Sequence, residues 1–98
     1  SSLSESEVEV FGDNSQGKLR EHYKQLTADD MPDSYLRLIK EVHRKKVAAG
    51  LRHKRLGQVD EIYLKRAEEL VCREFAAALN TTPELIKARI YEVIGEGL

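Results

Sequence analysis

The strongest constraint on the fold is an apolar stripe with helical spacing in the second half of the chain. Its members, at steps of three or four residues, are Leu64, Ala67, Val71, Phe75 and Ala78. This spacing places them on one face of an α-helix, and a face of that length has to pack against other elements. No part of the sequence carries a convincing pattern of paired strands. The stripe therefore predicts an all-α fold.

Three further helices are predicted from shorter stripes and from two prolines. Pro32 and Pro83 fit the first turn of a helix, where the missing N–H costs nothing, and Thr82 suits the cap before Pro83. We expect Asp60 to cap the longest helix. The predicted helices cover about residues 17–26, 32–49, 60–79 and 83–94. Their apolar positions, apart from the stripe above, are Leu19, Tyr23, Leu26, Tyr35, Leu38, Ile39, Val42, Ile86, Ile90, Val93 and Ile94.

The expected architecture is a small four-helix domain, residues 17–98, made of two helical hairpins. A basic connection at residues 50–59 joins the hairpins. Residues 1–16 are rich in Ser, Glu, Asp, Asn and Gly, a composition that buries too little apolar surface to offset the entropy of ordering. We therefore predict that residues 1–16 form a flexible, disordered acidic leader.

Several functional classes are not expected from this sequence. No apolar stretch approaches the length of roughly 18 residues that spans a bilayer, and the start does not resemble a signal peptide, so we predict a cytoplasmic protein without a membrane partner. Cys72 is the single cysteine, and the three histidines lack metal-ligand spacing. We expect no catalytic residues, no metal site and no cofactor, and we predict that the chain is not an enzyme.

A basic segment favours a charged partner, although the net charge is only −1. No acidic residue stands between Glu41 and Asp60, whereas six cations do. Such a cluster can neutralise the phosphates of duplex DNA, with an acidic protein surface or a merely solvated loop as the alternative interpretations. The candidate nucleic-acid-binding residues, including two from the last helix, are Arg44, Lys45, Lys46, Arg52, Lys54, Arg55, Lys87 and Arg89.

The last two predicted helices also fit a helix-turn-helix template. Asn80 occupies the position usually held by glycine, and the other matching positions are Ala76, Leu79, Thr82, Ile86 and Ile90. In such a motif the second helix reads base edges in the major groove, but its early polar residues here are one acid and two bases. An ordinary hairpin of two helices gives similar spacing. Both interpretations remain open at the level of sequence.

Residues 19–39 resemble the core of NepR, the small anti-sigma factor of the alphaproteobacterial general stress response. The matching positions, in order and without gaps, are Leu19-Arg20, Tyr23, Leu26, Asp29-Asp30, Met31-Pro32-Asp33, Tyr35-Leu36 and Leu38-Ile39. The sequence departs from the family at Asp30, where proline is common, and in the roughly sixty residues that follow the match. The resemblance covers about a fifth of the chain.

The resemblance implies a protein partner: a sigma factor, a sigma-like domain or another component of RNA polymerase. It implies that Leu19, Tyr23, Leu38 and Ile39 are apolar anchors in the partner's groove, since helix-in-groove binding uses such a periodicity. Tyr35 belongs to the same predicted site. Arg20 and Asp33 are implied to orient the partner, and Pro32 to fix the bend. The leading functional hypothesis is thus a transcription-regulatory adaptor; a helix-turn-helix-like DNA-binding protein and a structural or oligomerising helical module are the alternatives.

Overall fold

The computed structural model describes residues 6–97, with side chains described for residues 15–95. The four helices are α1 (Ser6–Leu26), α2 (Pro32–Leu51), α3 (Gln58–Leu79) and α4 (Pro83–Gly97). The described residues include no strand. The predicted all-α, four-helix fold is confirmed, and three of the four helices start within two residues of their predicted positions.

The start of α1 differs from the prediction by about ten residues. Residues 6–16 of the predicted flexible leader belong to α1, and residues 1–5 lie outside the described part of the chain. Residues 6–16 offer little apolar surface to offset the entropy of ordering. However, a helix nucleated by packing at Leu19 and Tyr23 extends backwards at a gain of one hydrogen bond per residue.

The helix ends follow the local signals in the sequence. Met31 is extended because Pro32 follows it, and the Asp29 carboxylate accepts hydrogen bonds from Met31 N at 3.2 Å and from Ser34 Oγ at 2.7 Å. These bonds lower the pKa of Asp29, with the Ser34 bond contributing most. Asn80 adopts the left-handed conformation (φ 56°, ψ 51°) that ends α3, and Thr82 Oγ1 accepts a bond from Leu85 N at 3.3 Å.

Most of the core lies in a cluster to which all four helices contribute. Tyr23, Leu38, Ile39, Val42, Val59, Ala67 and Ile94 are its buried members. A smaller cluster between α3 and α4 consists of Cys72, Ala76 and Ile86, and Ile90 packs against both. The most extensive helix–helix contact is between α2 and α3, and α1 touches both of them. The two predicted hairpins therefore share one core.

The apolar stripes are only partly buried. Leu64 and Phe75 are half-buried and Ala78 is exposed, while Cys72 and Ala76 are buried in their place. Val93, predicted on the inner face of the last helix, is 51% exposed. Both differences arise because α3 and α4 are rotated toward the neighbours they actually contact, which a stripe alone does not specify.

Candidate functional site

Three of the predicted partner anchors lie inside the chain's own core. Tyr23 and Ile39 have no exposed surface, and Leu38 is 1% exposed. Leu19 and Tyr35 are half-buried against the same core cluster. In this fold the buried side chains stabilise the domain, which corrects their predicted position on a binding surface. The remaining predicted contacts differ in exposure: Arg20 and Asp33 are exposed, and Pro32 is half-buried at the start of α2.

A buried polar network joins α1, α2 and α3. The Tyr23 hydroxyl donates a hydrogen bond to Asp60 Oδ1 at 2.5 Å. Lys45 Nζ donates to the same Asp60 oxygen at 2.9 Å and to the Tyr23 hydroxyl at 3.2 Å. Burial, followed by the bond to Asp60, raises the pKa of Tyr23 far above its usual value. The network satisfies a carboxylate that is 8% exposed, so its role is structural.

This network corrects two predictions made from the sequence. Asp60 is not the N-cap of α3: Gly57 holds that position, and Asp60 lies three residues further on with its side chain turned into the core. An acid in the first helical turn still complements the helix dipole. Lys45, predicted to contact nucleic acid, is directed toward Asp60. No local signal indicates either position, because the partners are 37 and 15 residues apart.

A wide cavity between α2, α3 and α4 gathers basic side chains; we call it the basic groove. Its volume is about 900 Å³. It is lined by His43, Lys46, Val47, Gly50, Lys54, Arg55, Leu56, Glu61, Leu64, Lys65, Glu68, Lys87 and Tyr91. Four of the eight predicted nucleic-acid-binding residues meet here, since Lys46, Lys54, Arg55 and Lys87 are all in that lining. Lys65, which the sequence analysis did not single out, is a fifth cation.

One acidic residue of the basic groove is held by its neighbours. Glu68 accepts a hydrogen bond from the Tyr91 hydroxyl and lies 3.6 Å from Lys87 Nζ. Burial, followed by the bond to Glu68, raises the pKa of Tyr91 well above its usual value. The Tyr91 ring also lies beside the His43 ring, with centroids 5.5 Å apart and planes tilted by 52°. The groove thus combines cations with aromatic and aliphatic surface.

The other predicted nucleic-acid-binding residues lie elsewhere. Arg44 and Arg52 are exposed but do not line the basic groove. Arg89 pairs with Glu92, with Arg89 Nη1 2.8 Å from Glu92 Oε1. Together with the inward direction of Lys45, this placement means that the basic segment does not act as one continuous surface.

A second cavity between α2, α3 and α4 is mainly apolar; we call it the apolar groove. Its volume is about 520 Å³. It is lined by Leu36, Lys40, Phe75, Leu79, Ile86, Arg89, Ile90, Val93 and Ile94. Leu79 is 67% exposed, and the half-exposed Val93 lies in the same lining. Large apolar side chains exposed together in a concave surface are typical of a binding site.

The turn between α3 and α4 has the predicted conformation, but the face that follows it is a poor reader of bases. Ala76 and Ile86 are buried as the helix-turn-helix template requires, whereas Leu79 is exposed. Lys87 and Arg89 diverge, since the former lines the basic groove and the latter the apolar groove. The two predicted base contacts therefore do not share one surface, and this geometry favours the ordinary hairpin of two helices.

Across residues 15–95, no three His, Cys, Asp or Glu side chains cluster as a potential metal site. None of the helices in the described part of the chain combines the length and the apolar character needed to cross a membrane. A scan of protein-family models finds no match to the chain, and searches of curated proteins and of solved structures find none either.

Proposed function

We propose that this chain is a protein-binding adaptor of transcription regulation that receives an amphipathic helix of its partner in the apolar groove. The single observation that carries the binding role is the exposure of Leu79 and Val93 in a concave apolar surface. A helix with apolar side chains at i, i+3, i+4 and i+7 is the partner element that fits such a groove.

The partner proposed here is a sigma factor, a sigma-like domain or another component of RNA polymerase. The resemblance of residues 19–39 to NepR supports this choice, and Leu36, within that segment, lines the apolar groove. The contact surface proposed now differs from the one that the resemblance implied, because the implied anchors Tyr23, Leu38 and Ile39 are buried. The proposed partner is thus of the class that the resemblance implies, but its proposed binding surface is the apolar groove.

Charge at the groove specifies the partner helix further. Lys40 and Arg89 line the apolar groove, and no acidic side chain is part of its lining. Arg89 is paired with Glu92, so an acidic residue flanking the apolar face of a partner helix would mainly complement Lys40, which contributes to orientation and association rate more than to affinity.

A non-catalytic role agrees with the state of the chain's single nucleophilic sulfur. Cys72 is buried in the small cluster between α3 and α4. Burial raises the pKa of its thiol, which keeps it in the unreactive protonated form. We therefore propose that the chain acts by binding and not by catalysis.

The test uses two leucines that occupy equivalent positions. Leu79 ends α3 inside the apolar groove, and Leu51 ends α2 outside both grooves, with 80% of its surface exposed. Fragments of sigma regions 2 and 4 are titrated calorimetrically into the wild type, Leu79→Gln and Leu51→Gln. Covering the exposed part of a leucine contributes roughly 1–2 kcal/mol, so Leu79→Gln should weaken binding about tenfold. Leu51→Gln should bind like the wild type.

Two results would overturn the proposal. Absence of binding to either sigma fragment contradicts the partner, and equal losses in the two leucine variants contradict the surface. Arg20→Ala and Asp33→Ala provide a further comparison, because both side chains are exposed on the surface implied by the resemblance. If these variants lose affinity while Leu79→Gln does not, the partner binds at α1 and α2 instead.

A further inference from the structure

The basic groove is a second concave surface, and it lies apart from the apolar groove. The two linings have no residue in common, although both use α2, α3 and α4. Its volume of about 900 Å³ is within the range of small-molecule sites. The residues that line the basic groove can therefore indicate what kind of ligand it binds, independently of the protein partner proposed for the apolar groove.

The cations of the basic groove come from different parts of the chain. Lys46 belongs to α2, Lys65 to α3 and Lys87 to α4, and the connection after α2 supplies Lys54 and Arg55. The dipole of α2 favours cations near its own C-terminus. It does not account for Lys65 and Lys87, which other helices place around the same cavity. Their convergence points to a negatively charged ligand.

The charge balance also favours an anion. Glu68 is engaged by Tyr91 and Lys87, which leaves Lys46, Lys54, Arg55 and Lys65 against Glu61. Among the residues that the structure describes, those four cations make no ion pair within 4 Å. Several cations that have no such pair in the described part of the chain suit a ligand with more than one negative charge, as a chain of phosphates has.

The segment that carries two of these cations is held in place by the backbone. His53 has a left-handed backbone (φ 59°), and its N–H donates to Gly50 O at 3.0 Å. Lys54 N then donates to Ala49 O at 2.8 Å. Because these bonds fix the end of α2, Lys54 and Arg55 leave it in a defined direction. A prepared site of this kind loses less entropy on binding than a mobile loop.

The remaining lining is not that of a simple anion site. Val47, Leu56 and Leu64 provide aliphatic surface, and the half-buried rings of His43 and Tyr91 lie side by side. Aromatic side chains are platforms on which a planar base can stack. We infer that the basic groove binds a nucleoside polyphosphate, with its phosphates at the cations and its base against the aromatic and aliphatic surface.

Duplex DNA fits this surface less well. A duplex presents phosphates along a convex backbone, and two further exposed cations of the basic segment, Arg44 and Arg52, do not line the groove. The groove instead places cations from three helices and one connection around a single cavity, an arrangement that suits a small anionic ligand. Duplex DNA is therefore included in the test as the alternative ligand.

The experiment titrates the full chain calorimetrically with ATP, tripolyphosphate, adenosine and a short DNA duplex. The expected order of affinity is ATP above tripolyphosphate, with adenosine much weaker. Lys54→Gln/Arg55→Gln should lower ATP affinity about tenfold or more, as expected when charge-assisted hydrogen bonds are removed. Arg44→Gln/Arg52→Gln removes the same charge outside the groove and should leave ATP affinity unchanged.

The outcomes against the inference are distinct. Equal losses of ATP affinity in the two double variants mean that ATP binding depends only on the net charge of the chain. Equal affinities for ATP and tripolyphosphate mean that no base is recognised, and tight binding of the duplex without ATP binding makes the groove a nucleic-acid surface. No binding of ATP overturns the inference directly. Leu79→Gln should bind ATP normally, so failure of the proposed adaptor function and failure of this site can be distinguished.

Discussion

Replacing Tyr23 by phenylalanine removes one buried hydroxyl and should destabilise the whole domain. That hydroxyl donates to Asp60 Oδ1 at 2.5 Å and accepts from Lys45 Nζ at 3.2 Å. A hydrogen bond to a charged group contributes roughly 1.5–3 kcal/mol, and the Asp60 carboxylate stays buried when this bond is lost, with Lys45 as its remaining partner. We expect Tyr23→Phe to lower the free energy of unfolding by about 2 kcal/mol.

That loss is large for a domain of this size. Stability of about 0.05–0.15 kcal/mol per residue gives a total on the order of 5–15 kcal/mol for such a chain. A change of 1 kcal/mol shifts the melting temperature of a domain with 60–100 residues by about 4–8 °C, so Tyr23→Phe should melt roughly 10 °C below the wild type. Urea and thermal unfolding followed by circular dichroism measure both quantities.

Tyr63 supplies the matched control. Its ring is half-buried and lies 5.5 Å from the Tyr23 ring, but its hydroxyl makes no hydrogen bond to another described side chain. Tyr63→Phe removes the same atom and should change the free energy of unfolding by less than about 0.5 kcal/mol. If the two variants are equally stable, the buried network does not stabilise the fold as argued.

A double-mutant cycle isolates the pairwise contribution. Asp60→Asn keeps the shape of the side chain and removes its charge, and Lys45, which is 39% exposed, can turn to water. Because Tyr23 and Asp60 share one hydrogen bond, Tyr23→Phe/Asp60→Asn should lose less stability than the two single changes together, by about 1 kcal/mol or more. Additive losses would contradict a direct interaction.

Four further predictions concern the rest of the domain. His53→Gly should raise the free energy of unfolding by about 0.5 kcal/mol, measured in urea, because relief of the left-handed conformation slightly exceeds the entropy that glycine loses. The bond to Asp30, followed by burial, raises the pKa of Tyr35 to about 12, above its unfolded value near 10. The stability that this bond contributes should therefore be complete below pH 10 and disappear as pH rises toward 12. The difference in unfolding free energy between the wild type and Tyr35→Phe should shrink over that range. Cys72 should react with a thiol reagent far more slowly in buffer than in urea, since unfolding exposes it. Leu38→Ala should cost about 2–5 kcal/mol of unfolding free energy, whereas Leu36→Ala should cost less and instead weaken binding of the sigma fragment.

The helices and their ends were predictable because their signals are local. Pro32 and Pro83 mark the starts of α2 and α4, and Asn80 adopts the left-handed conformation expected where α3 ends. The role of Asp60 was misjudged for the opposite reason. A local rule assigned Asp60 to a cap, whereas its partners Tyr23 and Lys45 come from distant parts of the chain. Sequence spacing contains no information on such pairs.

The basic groove was predictable only in part, because residues adjacent in sequence point in different directions on a helix. Consecutive residues on a helix are rotated by about 100°. Arg44 accordingly faces solvent, Lys45 faces Asp60, and Lys46 faces the basic groove. The charges in the sequence identify the basic segment, but they do not indicate which of its residues line the groove and which lie elsewhere. Lys65 was missed because acids and other bases surround it in the sequence, and only the packing of α3 on α2 places it at the cavity.

The same geometry decides how the resemblance of residues 19–39 can be interpreted. Leu36 and Leu38 both belong to the matched segment, but they are two positions apart on α2 and point in different directions, so that Leu36 is only partly buried against the core cluster. Leu38 is buried in the core, and Leu36 lines the apolar groove. A sequence match weighs both leucines equally, whereas only Leu36 can touch a partner without opening the domain. In this folded form, residues 19–39 can therefore bind a sigma factor only through accessible side chains such as Leu36, and not through the buried anchors that the resemblance implies.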